Sequence, residues 1–255
     1  MKNIRIIMEY DGGRYDGWQK QENTAETIQG KLEAVLSRLA GEPVEVHGSG
    51  RTDAGAHAKG QTANFHLKEE VCPNAAFAME YLNRYLPEDI RVLSADEVPE
   101  RFHSRLSAKR KTYAYFVETG DKKAVFERRY VYGLGKRLDV KKMRRAASYL
   151  MGEHDFKSFC SNKRMKKSTV RSLEQIEIRE DGTKLVFVYT GNGFLYNMVR
   201  ILTGTLLEVG LGERQPEDMK KILQAKDREQ AGVTVPAEGL FLMHVDYGEA
   251  ERENA

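Results

Sequence analysis

Arg51 and Asp53 stand two residues apart in the stretch Gly48-Ser49-Gly50-Arg51-Thr52-Asp53-Ala54-Gly55-Ala56-His57-Ala58. In extended backbone such residues project to one side. A guanidinium beside the carboxylate would hold Asp53 ionised, the state that a nucleophile or a base requires. Three glycines in the eight residues from Gly48 to Gly55 give a tight, exposed backbone path that can present a side chain into a cleft. The same Asp-Ala-Gly also fits a plain Asx turn with no chemistry attached. Ser49 and Thr52 do not make a phosphate loop, because the Gly-Lys-Ser/Thr ending is missing. The 6 histidines show no metal-ligand spacing, and His57 reads as a hydrogen-bonding loop residue. The 2 cysteines, Cys72 and Cys160, cannot build a structural zinc site or a disulfide framework. No metal is expected.

The charge distribution supplies a second clue. Residues 101–171 hold 21 Lys and Arg against 6 Asp and Glu, a balance of +15, whereas residues 1–100 and 172–255 each stand at −6. Clusters at Lys109-Arg110-Lys111, Arg128-Arg129, Lys141 to Arg145, and Lys163-Arg164 with Lys166-Lys167 suggest a surface that meets a polyanion, with nucleic acid favoured over a merely solvated face. No apolar run approaches the roughly 18 residues of a membrane helix. The start, Met1 to Ile6, has no signal-peptide core. These features point to a soluble, cytoplasmic protein without membrane contact.

The elements that must position these residues follow from periodicity. A length of 255 residues, 40% hydrophobic and 31% charged, suits two middling domains or one large one. Strand patterns at Ile4–Tyr10, Val44–His47, Gln61–Leu67 and Ile90–Ala95 alternate with helical stripes over Thr27–Ala40 and from Asn74, the latter ending before Pro87. The order is β-α-β-β-α-β, a ferredoxin-like unit. The second half predicts a strand at Thr112–Glu118 and a helix opened by Asp139. It also predicts strands Leu173–Arg179 and Lys184–Thr190 joined at Asp181-Gly182, helices Phe194–Val209 and Pro216–Ala225, and a closing strand Leu240–Tyr247. The expectation is an α+β protein of two such subdomains, 1–105 and 106–247, with a loose tail at 248–255.

The string Gly48 to Ala58 closely resembles the signature of the tRNA pseudouridine synthase A family. Further segments agree in the family's order: Tyr10-Asp11-Gly12, Gly17-Trp18-Gln19, Leu86 to Ile90, Phe102-His103-Ser104-Arg105, Lys111-Thr112-Tyr113, Gly152 to Phe156, Gly191 to Arg200, and Ala237-Glu238-Gly239-Leu240. The resemblance covers about residues 4 to 247 and implies two α+β subdomains with sheets joined around a cleft. It also implies isomerisation of uridine to pseudouridine in the anticodon stem-loop of tRNA, no cofactor, and a homodimer. By the same resemblance Asp53 is the catalytic carboxylate, acting by covalent attack or by proton abstraction from the sugar. Arg51 holds Asp53 and fills the space left by the flipped base. Tyr113 stacks on the uracil and helps remove its proton, Arg200 pairs with Asp53, and Leu240 walls the base. Lys109, Lys111, Lys163, Arg164, Lys166 and Lys167 are expected to contact the tRNA backbone. The sequence departs from the family at Ala56, usually Val, at Gly193, usually Ala, at Tyr196-Asn197, commonly two histidines, and at Ile201-Leu202, frequently Asn-Ile. A non-catalytic RNA-binding protein of the same fold, with Asp53 only shaping a loop, is the alternative.

Overall fold

Alternate residues of the first strand, Ile4, Ile6 and Met8, are fully buried, and they set the core of the first of two compact units. The computed structural model describes residues 1–121 and 125–248. The tail expected at 248–255 therefore lies outside the described residues beyond Gly248. The chain is α+β. The first unit comprises Met1–Lys109 and the chain from Phe241 onward; the second comprises Arg110–Leu240.

The first unit runs β1 (Lys2–Tyr10), α1 (Ile28–Ala40), β2 (His47–Gly48), β3 (His57–Leu67), α2 (Ala75–Tyr85) and β4 (Ile90–Val98). β1 lies antiparallel between β3 and β4, and β2 pairs antiparallel with Asn64 and Ala63 of β3. Helix starts follow local chemistry. Thr27 Oγ1 accepts from the Gly30 N–H at 3.2 Å, and Asn74 Oδ1 accepts from the Phe77 N–H at 2.9 Å. α2 stops at Leu86, whose extended backbone is what a residue before proline favours. Ile28, Leu32, Val35 and Leu36 of α1 and Ala78 and Leu82 of α2 are buried.

The strand expected at Val44–His47 shrinks to two residues because α1 takes its backbone groups. Val46 N–H donates to the buried Glu33 carboxylate at 3.2 Å, Val46 C=O accepts from the Gln29 amide at 3.1 Å, and Val44 N–H donates to Ser37 Oγ at 3.0 Å.

The second unit contains β5 (Arg110–Glu118), β6 (Tyr132–Gly133), α3 (Val140–Ser148), β7 (Gly152–Asp155), β8 (Val170–Asp181), β9 (Lys184–Gly191), α4 (Met198–Gly210) and α5 (Asp218–Ala225). β5, β9, β8 and β7 lie in that order, all antiparallel, with β6 parallel to β5. Gly182, at φ +60, makes the hairpin between β8 and β9. α3 packs on α4, and Asp139 caps α3 through the Lys142 N–H at 3.0 Å. α4 starts four residues later than the apolar pattern suggests. Asn197 takes a left-handed backbone there and starts the helix after it.

The last strand, β10 (Leu240–Asp246), pairs in parallel with β3, Phe241 opposite His57 and Leu242 opposite Ala58.

Candidate active site

The loop Ser49–Ala56 joins β2 to β3 and carries Asp53. Its first half is tied to the strands beneath it. Ser49 N–H donates to Thr62 C=O at 2.8 Å and Ser49 Oγ to Gln61 Oε1 at 2.6 Å, while the Gln61 amide donates to Gly50 C=O at 3.0 Å. Thr52 is buried, its hydroxyl 2.8 Å from the Tyr10 hydroxyl and its carbonyl accepting from the Trp18 N–H at 3.1 Å. Burial pushes the Tyr10 phenol up to about 12, so this anchor stays neutral at ordinary pH. Gly17, at φ +93, allows the close approach: a Cβ there would lie 2.7 Å from Thr52 C=O.

Beyond Asp53 the turn closes through main chain. Ala56 N–H donates to Asp53 C=O at 3.1 Å, and Gly55 N–H to Tyr15 C=O at 3.2 Å. Asp53 sits half-buried between buried Thr52 and exposed Ala54. Arg51 is exposed, its Nε donating to Gln19 Oε1 at 3.0 Å, a partner outside the loop where the sequence reading gave it Asp53. His57 opens β3 fully buried. It accepts from the Gly12 N–H at 3.0 Å and stacks on Phe241 at 4.6 Å, a structural role in keeping with a hydrogen-bonding residue.

The second unit positions the other three expected site residues. Tyr113, on β5 opposite Tyr189, is buried and meets Phe194 edge-on with ring centres 5.0 Å apart. Arg200 lies in the first turn of α4, half-buried. Its Nε donates to Val235 C=O at 2.7 Å and its Nη1 to Asn197 Oδ1 at 3.0 Å, two acceptors of the same unit. Leu240 is buried and follows Gly239, where any Cβ would lie 2.7 Å from Phe116 C=O.

Lys109 is the last residue of the first unit's opening segment, exposed, with its N–H on Asp246 C=O at 2.8 Å; Lys111 faces Gly191 across β5 and β9. Lys163, Arg164, Lys166 and Lys167 are all exposed on the loop leading into β8, with Lys163 Nζ 3.4 Å from Glu229. Part of the basic block is compensated internally, Arg110 by Glu174 at 2.6 Å, Arg144 by Glu180 at 3.0 Å, and Arg145 by Glu217. Among the described residues no group of three or more His, Cys, Asp or Glu could hold a metal ion, and no helix is long and apolar enough to cross a membrane.

Sequence reasoning missed the supports. Tyr10, Gln19 and Gln61 reach the loop from 42, 32 and 11 residues away, and Tyr10 and Gln19 stood in matched motifs without a role.

The family described as tRNA pseudouridine synthase matches residues 6–106 and 146–248. A tRNA pseudouridine synthase A from Bacillus sp. (strain KSM-64) is 47% identical over 247 residues, covering 97% of this chain and 100% of the relative. One from Clostridium acetobutylicum is 45% identical over the same shares. With the family's motif on an anchored loop and full-length relatives at this identity, the chain belongs to the tRNA pseudouridine synthase A family.

Proposed function

We propose that the protein isomerises uridine to pseudouridine in the anticodon stem-loop of tRNA, with Asp53 as the catalytic carboxylate. The single observation that carries the assignment to Asp53 is its setting: a half-buried carboxylate on a loop whose flanks are fastened by buried hydrogen bonds. Such fastening keeps a reacting group in place without cost at the moment of reaction.

Uridine and pseudouridine are isomers. The C1′–N1 bond breaks, the uracil turns, and C1′ joins ring carbon 5, which gives up its proton while N1 ends with one. No redox equivalent or group donor enters this balance. Asp53 acts on the sugar, by attack at C1′ or by removal of a sugar proton. Arg51, exposed on the loop, occupies the gap left by the flipped base. Tyr113 offers a ring face to the uracil and a hydroxyl for the proton of carbon 5. Arg200 supplies positive charge, and Leu240 an apolar wall. Lys109, Lys111, Lys163, Arg164, Lys166 and Lys167 meet phosphates.

Family membership supports two further parts of the reading: a cytoplasmic homodimer, and a pair of ferredoxin-like subdomains, 1–105 and 106–247. The β-α-β-β-α-β order of the first unit, with β4, β1, β3 and β2 side by side, favours the latter.

The test is incubation of the parent and Asp53→Asn with unmodified tRNA, followed by mapping of pseudouridine. The parent should modify anticodon-arm uridines; the variant should bind tRNA and make no product. Turnover by the variant within about tenfold of the parent removes Asp53 from the chemistry, and product found only outside the anticodon arm overturns the substrate assignment.

A further inference from the structure

α4 begins on a residue with two separable properties. Asn197, its N-cap, sits at φ 61 and ψ 8, a left-handed conformation that among described non-glycine residues only Lys226 shares. Asn tolerates this region better than most residues, and glycine adopts it without strain. The Asn197 side chain does not cap the helix. Its Nδ2 donates to Ser161 Oγ at 2.9 Å, and its Oδ1 accepts from Arg200 Nη1 at 3.0 Å. Ser161 is itself held, its N–H on Tyr196 C=O at 3.1 Å.

An amide has unlike ends. With the nitrogen end anchored on Ser161, the oxygen end faces Arg200. The second grip on that guanidinium comes from Val235 C=O, 2.7 Å from Nε. Two acceptors on two different N–H groups of a planar fork set both its position and its rotation. Asn197 and Arg200 are three apart at the start of the helix, so the left-handed backbone at Asn197 turns its side chain into the path of Arg200 on the same face. Glycine would satisfy the backbone at this point and lose the grip.

The geometry points to Asn197 as a positioning residue for Arg200, anchored by Ser161 and acting on the reaction only through the guanidinium. This rests on the reading of Arg200 as part of the active site.

Asn197→Gly separates the two properties. The expected result is a melting temperature and a KM for tRNA close to the parent's, with kcat lower by about ten- to a hundredfold, the scale of a displaced reacting geometry. Ser161→Ala, which frees the amide to rotate, should lower the same parameter less. In an Arg200→Ala background, Asn197→Gly should cause no further loss, because a residue acting through the guanidinium has nothing left to act on. A parent-like kcat for Asn197→Gly, or an equal loss with and without Arg200, overturns the inference. Severe loss in Arg200→Ala combined with a parent-like Asn197→Gly sinks the positioning role alone. Parent-like turnover in Arg200→Ala sinks the reading of the site and the inference with it. Should the glycine variant fail to fold, Ser161→Ala decides, and unchanged kcat there overturns the inference.

Discussion

Tyr113 combines two properties in one side chain, a ring that can stack and a hydroxyl that can move a proton. Its edge-on packing against Phe194 involves the ring alone. Tyr113→Phe keeps that packing and removes the hydroxyl. Uracil engagement should persist, while pseudouridine formation under single-turnover conditions falls about a hundredfold or more. Unchanged product formation would reduce Tyr113 to a stacking platform. At this scale Asp53 was legible from sequence as a candidate because its neighbours along the chain make the motif. Arg51 was singled out as a candidate by the same motif, but its bond to Gln19 was not legible, since two side chains that far apart in sequence meet only through the fold. The Tyr10–Thr52 anchor was hidden for the same reason.

Helix starts were readable because a cap is a local event: Thr27, Asn74 and Asp139 each satisfy an N–H three residues on. Where a distant group competes for the backbone, pattern misleads. Val44–Val46 has the alternation of a strand, yet Glu33, Gln29 and Ser37 of α1 take its polar groups. The α4 start was displaced by the backbone conformation of a single residue, which apolar periodicity does not register. The four-residue β7 is too short to show alternation against its surroundings. Glu33 allows a direct check of the competition. Its carboxylate accepts from Val46 N–H and from the Gln29 amide, and pairs with Lys20 at 2.9 Å. Glu33→Ala leaves the buried Val46 N–H without its acceptor and should cost about 1–3 kcal/mol in urea unfolding. Glu33→Gln, which keeps a carbonyl oxygen for that N–H, should lose clearly less. Equal losses would mean that the Lys20 ion pair, not the strand tether, supports the helix.

Over the whole chain the charge is segregated, and within the basic block several side chains have acidic partners while a loop carries four exposed cations, of which Lys163 reaches Glu229. Reversing Lys163, Arg164, Lys166 and Lys167 together to Glu should weaken tRNA binding and flatten its salt dependence, by somewhat less than about one unit of log–log slope for each lost phosphate contact. Turnover at saturating tRNA should survive. Identical slopes for parent and variant across a salt series would move the RNA path to Lys109–Lys111 and Lys141–Arg145. The course of the chain carries a consequence of another kind. β10 pairs with His57 and Ala58, at the edge of the strand that the Asp53 loop runs into, and it follows every other described element. On the ribosome, the first unit's opening segment emerges early yet waits for β10, which is made only after the second unit. Until then that stretch of β3 lacks its neighbour, so a nascent chain halted anywhere before residue 241 holds the Asp53 loop on an unfinished sheet.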